Sequence, residues 1–181
     1  PGRREPELER AFLHAWMRAV AMRAAAQETP GARAEPRRAF LAGLFADLGW
    51  VALVSELAAQ GVLGGEALRF AADQHASAGA WIAAEWRLPG ECVLAAAQHH
   101  AASTLYRADP LLVLLWACED IAAETSGARD GAPLPYGADA ARLAGMSAGI
   151  RFDVERACRA ASRQLAEALG VASRDAAQRV A

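Results

Sequence analysis

Cysteine is scarce in this chain, aromatic residues are few, and charge of neither sign dominates. The three cysteines, Cys92, Cys118 and Cys158, are widely spaced and form no CxxC pair. That pattern excludes a disulfide frame and a thiolate zinc cage, and it fits reduced core thiols in a cytoplasmic protein. Phe, Trp and Tyr make up 7% of the residues, while hydrophobic residues make up 54%, most of them alanine and leucine. Such a composition favours helices that pack closely through small side chains. With 19 basic and 21 acidic residues the formal net charge is −2. Nothing there provides an electrostatic grip on a nucleic-acid polymer or an anionic membrane surface. No uninterrupted apolar run reaches ~18 residues, so no membrane span is expected. No signal-peptide pattern is present. The first residue is Pro1, and the sequence reads as an excerpt of a longer protein.

What the chain does contain is helical periodicity, punctuated by breakers. Leu8, Phe12, Ala15, Trp16, Ala19, Val20 and Arg23 recur at steps of three and four, which predicts a helix from Glu7 to about Gln27. The Thr29-Pro30-Gly31 cluster stops it. Glu35-Pro36 restarts the chain, and a second helix is expected over Arg37 to Gln60, with Leu41, Leu44, Leu48, Val51 and Ala52 as its core stripe. A third helix is expected from Glu66 to Trp86, carrying His75, Gly79, Ile82 and Trp86 on one face. Gly79, without a side chain, lets another backbone approach one turn from His75. After Leu88-Pro89-Gly90, a fourth helix should run from Glu91 to about Ala102. Asp109-Pro110 is a strong start signal for a helix that is apolar all round as far as Ala123 and must therefore be buried. From Thr125 to Gly137 the composition shifts to Gly, Pro and Ser, a loop long enough to be functional. Ala138 to Ala144 is a short helix. Asp153 is expected to cap a last amphipathic helix ending at Gly170, with Ser173 to Ala181 as a tail. No strand alternation and no internal repeat appears. The reading is all-α: a helical core over 1–124, a loop over 125–137, and a helical extension over 138–181 packed on the same domain.

Against this apolar background, the polar groups stand out. Asp47 sits inside Phe40 to Gly49, FLAGLFADLG, where a carboxylate is costly unless something partners it. The candidate partners are His14, Arg18, His75, the doublet His99-His100, and the pair Glu119-Asp120 in CEDIA. A buried acid paired with Arg18 or a histidine is the favoured structural reading of Asp47, and a helix-end charge is that of Glu119. His75 is as readily a satisfied core histidine as a ligand. Neighbours in a helix point about 100° apart, so only one of His99 and His100 is expected to face inward. Arg156, Arg159 and Arg163 read as a solvated face.

FLAGLFADLG resembles the HD-domain segment that carries a His-Asp pair. DQHASAGAWIAAEWRLPGECVLAAAQHH resembles the histidine, glycine, W-x-L-P and HH sequence of the HD-related output domain, HDOD. The likeness spans about Ala11 to Ala123. It implies an HD-domain-like helical bundle of about 6–8 helices around a buried site. In active HD enzymes that site binds divalent metal and hydrolyses phosphate esters. In HDOD proteins it is commonly degenerate, and the domain serves bacterial signal transduction by contacting other domains. Carried over by motif, the first histidine falls on His14, or one turn later on Arg18. The histidine of the His-Asp pair is replaced by Ala46. Asp47, His75, His99 and His100 match the next positions, and Glu119 stands where the family has aspartate. HDOD proteins usually have a further helical subdomain ahead of the matched segment.

Efficient metal catalysis needs several preorganised ligands and an open position for water. Loss of the paired histidine and the longer arm of Glu119 argue against it. The expectation is a non-catalytic regulatory interaction domain, not an enzyme, with no cofactor. His14, Asp47, His75, His99, His100 and Glu119 are remnant metal candidates that could hold Mn, Fe, Mg or Zn weakly. Expected partners are other signalling domains or proteins. Two rivals remain: a metal-dependent phosphohydrolase acting on a nucleotide or cyclic dinucleotide, and a domain that senses such a nucleotide without hydrolysis.

Overall fold

The computed structural model describes residues 6–29, 34–101, 109–127 and 136–168. Among them are eight helices and no strand: α1 Pro6–Glu28, α2 Pro36–Phe45, α3 Leu48–Ala59, α4 Gly65–Glu85, α5 Gly90–Gln98, α6 Pro110–Ser126, α7 Gly137–Ala144 and α8 Ala148–Ala168. The all-α expectation holds.

Helix α6 is the central rod. Leu111 through Cys118 are all buried, as are Ile121, Ala122 and Ala123, so its apolar sequence on every side is matched by neighbours on every side. Its start follows the local chemistry: Asp109 Oδ1 accepts from the Leu111 N–H at 2.8 Å, with proline in the first turn. Helix α1 packs against α2, α6 and α8, while α7 packs on α6. The small side chains do what the composition suggested. Ala15, Ala19, Ala21 and Ala25 of α1 are buried, and a Cβ added at Gly43 would meet the backbone of Ala19 at 2.9 Å. The three cysteines are free and buried. Burial pushes the Cys92 and Cys158 thiols up to about 11 and raises Cys118 well above its usual value. All three stay protonated and inert at neutral pH.

Several expectations need correction. The helix expected over Arg37 to Gln60 is two helices, broken at Ala46-Asp47, where Asp47 takes φ −97° and ψ 22° as the N-cap of α3. Its buried positions are Ala39, Ala42, Gly43, Ala46, Gly49 and Val54, whereas Leu41, Leu44, Leu48, Val51 and Ala52 are only half-buried. Close helix approach selects the small residues for the interior. Together, Pro36–Ala59 are apolar and long enough to match a membrane span, although the turn and the ion-paired Asp47 interrupt the stretch. Trp86 does not join His75 on the buried face. It caps α4 and is 63% exposed. Helix α5 ends at Gln98, short of Ala102, which lies outside the described residues. Thr125 and Ser126 belong to α6, ended by Gly127 at φ 65°; of the expected loop, residues 128–135 lie outside the described residues. Helix α8 begins at Ala148, ahead of Asp153, with Ser147 Oγ accepting from the Ile150 N–H. Asp153 instead pairs with Arg156 within the helix. Gly170 and the 173–181 tail also lie outside the described residues.

Candidate functional site

The break between α2 and α3 delivers Asp47 to the middle of the fold. Beside it, α3 and α4 cross with almost no space between them. A Cβ at Gly49 would run into the His75 carbonyl oxygen and the Gly79 nitrogen, and one at Gly79 would lie 2.9 Å from the Gly49 nitrogen. Two glycines thus let the backbone of α3 rest on that of α4. This brings Asp47 and His75 to one level. Gly79 carried the signal expected of it. Gly49, two residues beyond Asp47, was the missed half of the contact.

Both His14 and Arg18 face this centre. Arg18 is 1% exposed. Its guanidinium donates from Nη2 to Asp47 Oδ2 at 2.8 Å, from Nη1 to Glu119 Oε2 at 3.2 Å, and from Nε to the Gly43 carbonyl at 3.0 Å. His14 Nε2 donates to the other oxygen of Glu119, at 2.7 Å. Glu119 therefore does not simply cap a helix end. It joins α1 to α6, while its neighbour Asp120 packs against the first residue of α7, Gly137. Burial alone would raise both central carboxyls. The charge of Arg18 outweighs it at both, aided by the His14 hydrogen bond at Glu119. Asp47 is held well below its usual value and Glu119 at about 2. Arg18 is raised in return, since its two carboxylates outweigh its own burial.

The other side of Asp47 meets three imidazoles. His99 Nε2 lies 3.1 Å from Asp47 Oδ1, and His75 Nε2 lies 3.9 Å from the same oxygen. His75 Nε2 is in turn 3.1 Å from His99 Nε2 and 2.8 Å from His100 Nε2. One donor atom from each of Asp47, His75, His99 and His100 falls within 4.8 Å of all the others. Of the doublet, His99 is buried and His100 exposed, as expected, yet the His100 ring still reaches the His75 nitrogen. Helix α5 ends at Gln98, so His99 is its cap and His100 lies in the turn that follows. Trp116, at the core of α6, pins that turn by donating from Nε1 to the His99 carbonyl at 2.6 Å. Nothing in its sequence surroundings signalled this role.

The tautomers follow from the backbone. His75 Nδ1 lies 2.7 Å from the Ala72 carbonyl, and His99 Nδ1 lies 3.1 Å from those of Ala95 and Ala96. A carbonyl only accepts, so each Nδ1 carries its proton, and in the neutral ring each Nε2 is left with a lone pair. Burial and the two neighbouring histidines lower His100 to about 4, so its ring is neutral at pH 7. Lone pairs of two imidazoles and a carboxylate oxygen thus converge on one small volume, which suits a cation among them. Imidazole held by a backbone carbonyl through its far nitrogen is the usual arrangement of a metal-ligating histidine. The donor separations bracket the roughly 3.3 Å edge of a tetrahedron with metal–nitrogen bonds near 2.0 Å. The residues fit one divalent ion. Of the six candidate ligands, Asp47, His75, His99 and His100 form this group, while His14 and Glu119 are held apart around Arg18.

The centre opens on a cleft of about 420 Å³, lined by Glu7, Arg10, His14, Trp50, His75 and His100 among others. Arg10, at its mouth, is paired with Glu7 at 3.3 Å. The cleft therefore offers little positive charge for a phosphate-rich ligand.

Residues 1–102 match the HDOD domain family. The chain belongs to that family. No curated protein and no solved structure matches it. The HDOD match ends before α6, so Arg18, Asp47, His75, His99 and His100 lie inside it and Glu119 lies beyond it.

Proposed function

We propose that this HDOD domain is a regulatory interaction module that does not catalyse phosphate-ester hydrolysis, and that it works by contacting other signalling domains. The observation that carries this reading is the buried guanidinium of Arg18 between Asp47 and Glu119. Three of the four carboxylate oxygens at the centre are already engaged by hydrogen-bond donors: Asp47 Oδ2 and Glu119 Oε2 by Arg18, and Glu119 Oε1 by His14. Ala46, buried beside Asp47, offers no ligand. A hydrolytic metal centre needs ligands free to bind metal and a position for the attacking water. Here Glu119 is spent on Arg18 and His14, and Asp47 keeps one oxygen free while a fixed organic cation holds the other. Large apolar side chains at the surface support an interaction role. Phe70 and Trp81, 54% and 67% exposed, lie three turns apart on one side of α4, and Trp86 follows at its end.

The rival is metal-dependent hydrolysis, favoured by the convergence of four donors at an open cleft. Turnover assays decide between them. The protein would be supplied in turn with Mn²⁺, Fe²⁺ and Zn²⁺, and offered p-nitrophenyl phosphate, a phosphodiester and a cyclic dinucleotide. The expected rate is that of an Asp47→Ala control. A metal-dependent rate abolished by Asp47→Ala would overturn the regulatory reading.

A further inference from the structure

We infer that Arg18 takes the place of a second cation, so that the centre accepts a single metal ion, of the nitrogen-preferring kind, on the side away from Arg18. The inference rests on the proposed reading of the centre, but it concerns occupancy and selectivity, not turnover. Two carboxylates and the imidazoles of His14, His75 and His100 border one cleft, with His99 buried against Asp47, enough donors for more than one ion. Their arrangement divides them. Asp47 turns Oδ1 toward His75, His99 and His100, and Oδ2 toward Arg18. Glu119 turns one oxygen to Arg18 and the other to His14. The guanidinium thus bridges two carboxylates at 2.8 and 3.2 Å, where a second cation would otherwise bridge them, and its Nε is anchored on the Gly43 carbonyl. A guanidinium is always charged in a protein, so Arg18 keeps its place as the resident cation.

What remains open to metal is three imidazole nitrogens and one carboxylate oxygen. That set favours zinc and its neighbours over manganese and magnesium, which prefer oxygen-rich sites. The charge balance agrees. Asp47, Glu119 and Arg18 sum to one negative charge, which a single divalent ion reverses and a second would leave strongly positive in a buried centre.

Metal stoichiometry tests this on the whole chain. Protein stripped with chelator would be equilibrated with Zn²⁺ or Mn²⁺, desalted and measured by elemental analysis. One zinc per chain is expected, with manganese retained well below that. His100→Ala, at the cleft wall, should weaken zinc retention by at least about tenfold while leaving the circular dichroism unchanged. Arg18→His, which replaces the guanidinium by a further ligand, should raise occupancy toward two. Zero or two zinc ions in the native protein, or manganese held as well as zinc, overturns the inference. So does an Arg18→His variant that folds yet still holds one ion. Should that variant fail to fold, the native stoichiometry decides alone. Absence of turnover in a protein holding two ions would refute this inference and leave the regulatory reading standing. Turnover with one ion would do the reverse.

Discussion

Arg18 is the residue on which the centre depends. It makes three hydrogen bonds from full burial, two of them to carboxylates. Removing one partner from a buried ion pair leaves the others charged and unsatisfied, at a cost of about 3–5 kcal/mol. Arg18→Met should therefore destabilise by about that amount in urea unfolding. Arg18→Lys should fall between it and the native chain, because an ammonium keeps the charge but cannot span both carboxylates and the Gly43 carbonyl with a planar fork. Equal stabilities for the three proteins would show that the guanidinium carries no structural weight. A second residue-scale prediction concerns Arg87, which holds φ 53° just past α4, where its N–H and that of Leu88 bond back to Ala84 and Ala83. This is a helix end that glycine ordinarily occupies. Left-handed backbone costs a non-glycine residue about 1–2 kcal/mol. Arg87→Gly, after its own loss of chain entropy, should stabilise by about 0.5–1 kcal/mol, read as a rise in Tm of a few degrees.

At the scale of elements, the site depends on how closely α3 lies against α4. A methyl at Gly49 meets two backbone groups, which cannot move aside, whereas one at Gly79 meets the Gly49 nitrogen at 2.9 Å and the Ala96 Cβ at 3.3 Å. Gly49→Ala should therefore cost more than Gly79→Ala. The expected losses are about 3 kcal/mol or more and about 1–2 kcal/mol in thermal unfolding, the usual range for overpacking. The reverse order would refute the crossing geometry. Elements also show where sequence reading succeeded and where it stopped. The starts at Glu35-Pro36 and Asp109-Pro110 were legible because capping is local: Glu35 takes the N–H groups of Arg37 and Arg38, and Asp109 that of Leu111. The break at Ala46-Asp47 was not, because Leu41, Leu44, Leu48 and Val51 keep helical spacing straight across it and no proline or glycine stands at the turn. The end of α5 was missed for a similar reason, and with it the way the exposed His100, like the buried His99, brings its Nε2 to His75. The six polar candidates could be named from the chain through family resemblance. Their division into a four-donor group and an Arg18 cluster could not, because it depends on distances between helices more than 20 residues apart in sequence.

The whole molecule is tied together through the same centre. Glu119 belongs to α6, beyond the HDOD-matched segment, and it is the acid through which Arg18 and His14 of α1 hold that central rod. Its charge should therefore be visible in global stability. Glu119 is held at about 2, against an ordinary 4.5, and its side chain is 21% exposed. A carboxyl depressed in the folded state contributes its full stabilisation above the unfolded value. The contribution drains away as pH falls, because the unfolded chain takes up the proton first. The window here runs from about 4.5 down to about 2. Allowing for its partial exposure, the contribution at neutral pH is of order 2–3 kcal/mol. Asp47 is shifted in the same direction and adds to the acid lability. Urea unfolding between pH 7 and 2 checks the assignment. The native chain should be the more stable protein at pH 7 by roughly that amount. The gap to Glu119→Gln should be unchanged down to about pH 5, then narrow steadily and nearly close at about pH 2 as the native carboxyl takes up its proton. A gap that stays constant across this range would mean that the hydrogen-bonding shape of residue 119 matters and its charge does not. A gap that narrows assigns to one ion-paired acid on α6 the electrostatic tie between the HDOD segment and the helix it packs around.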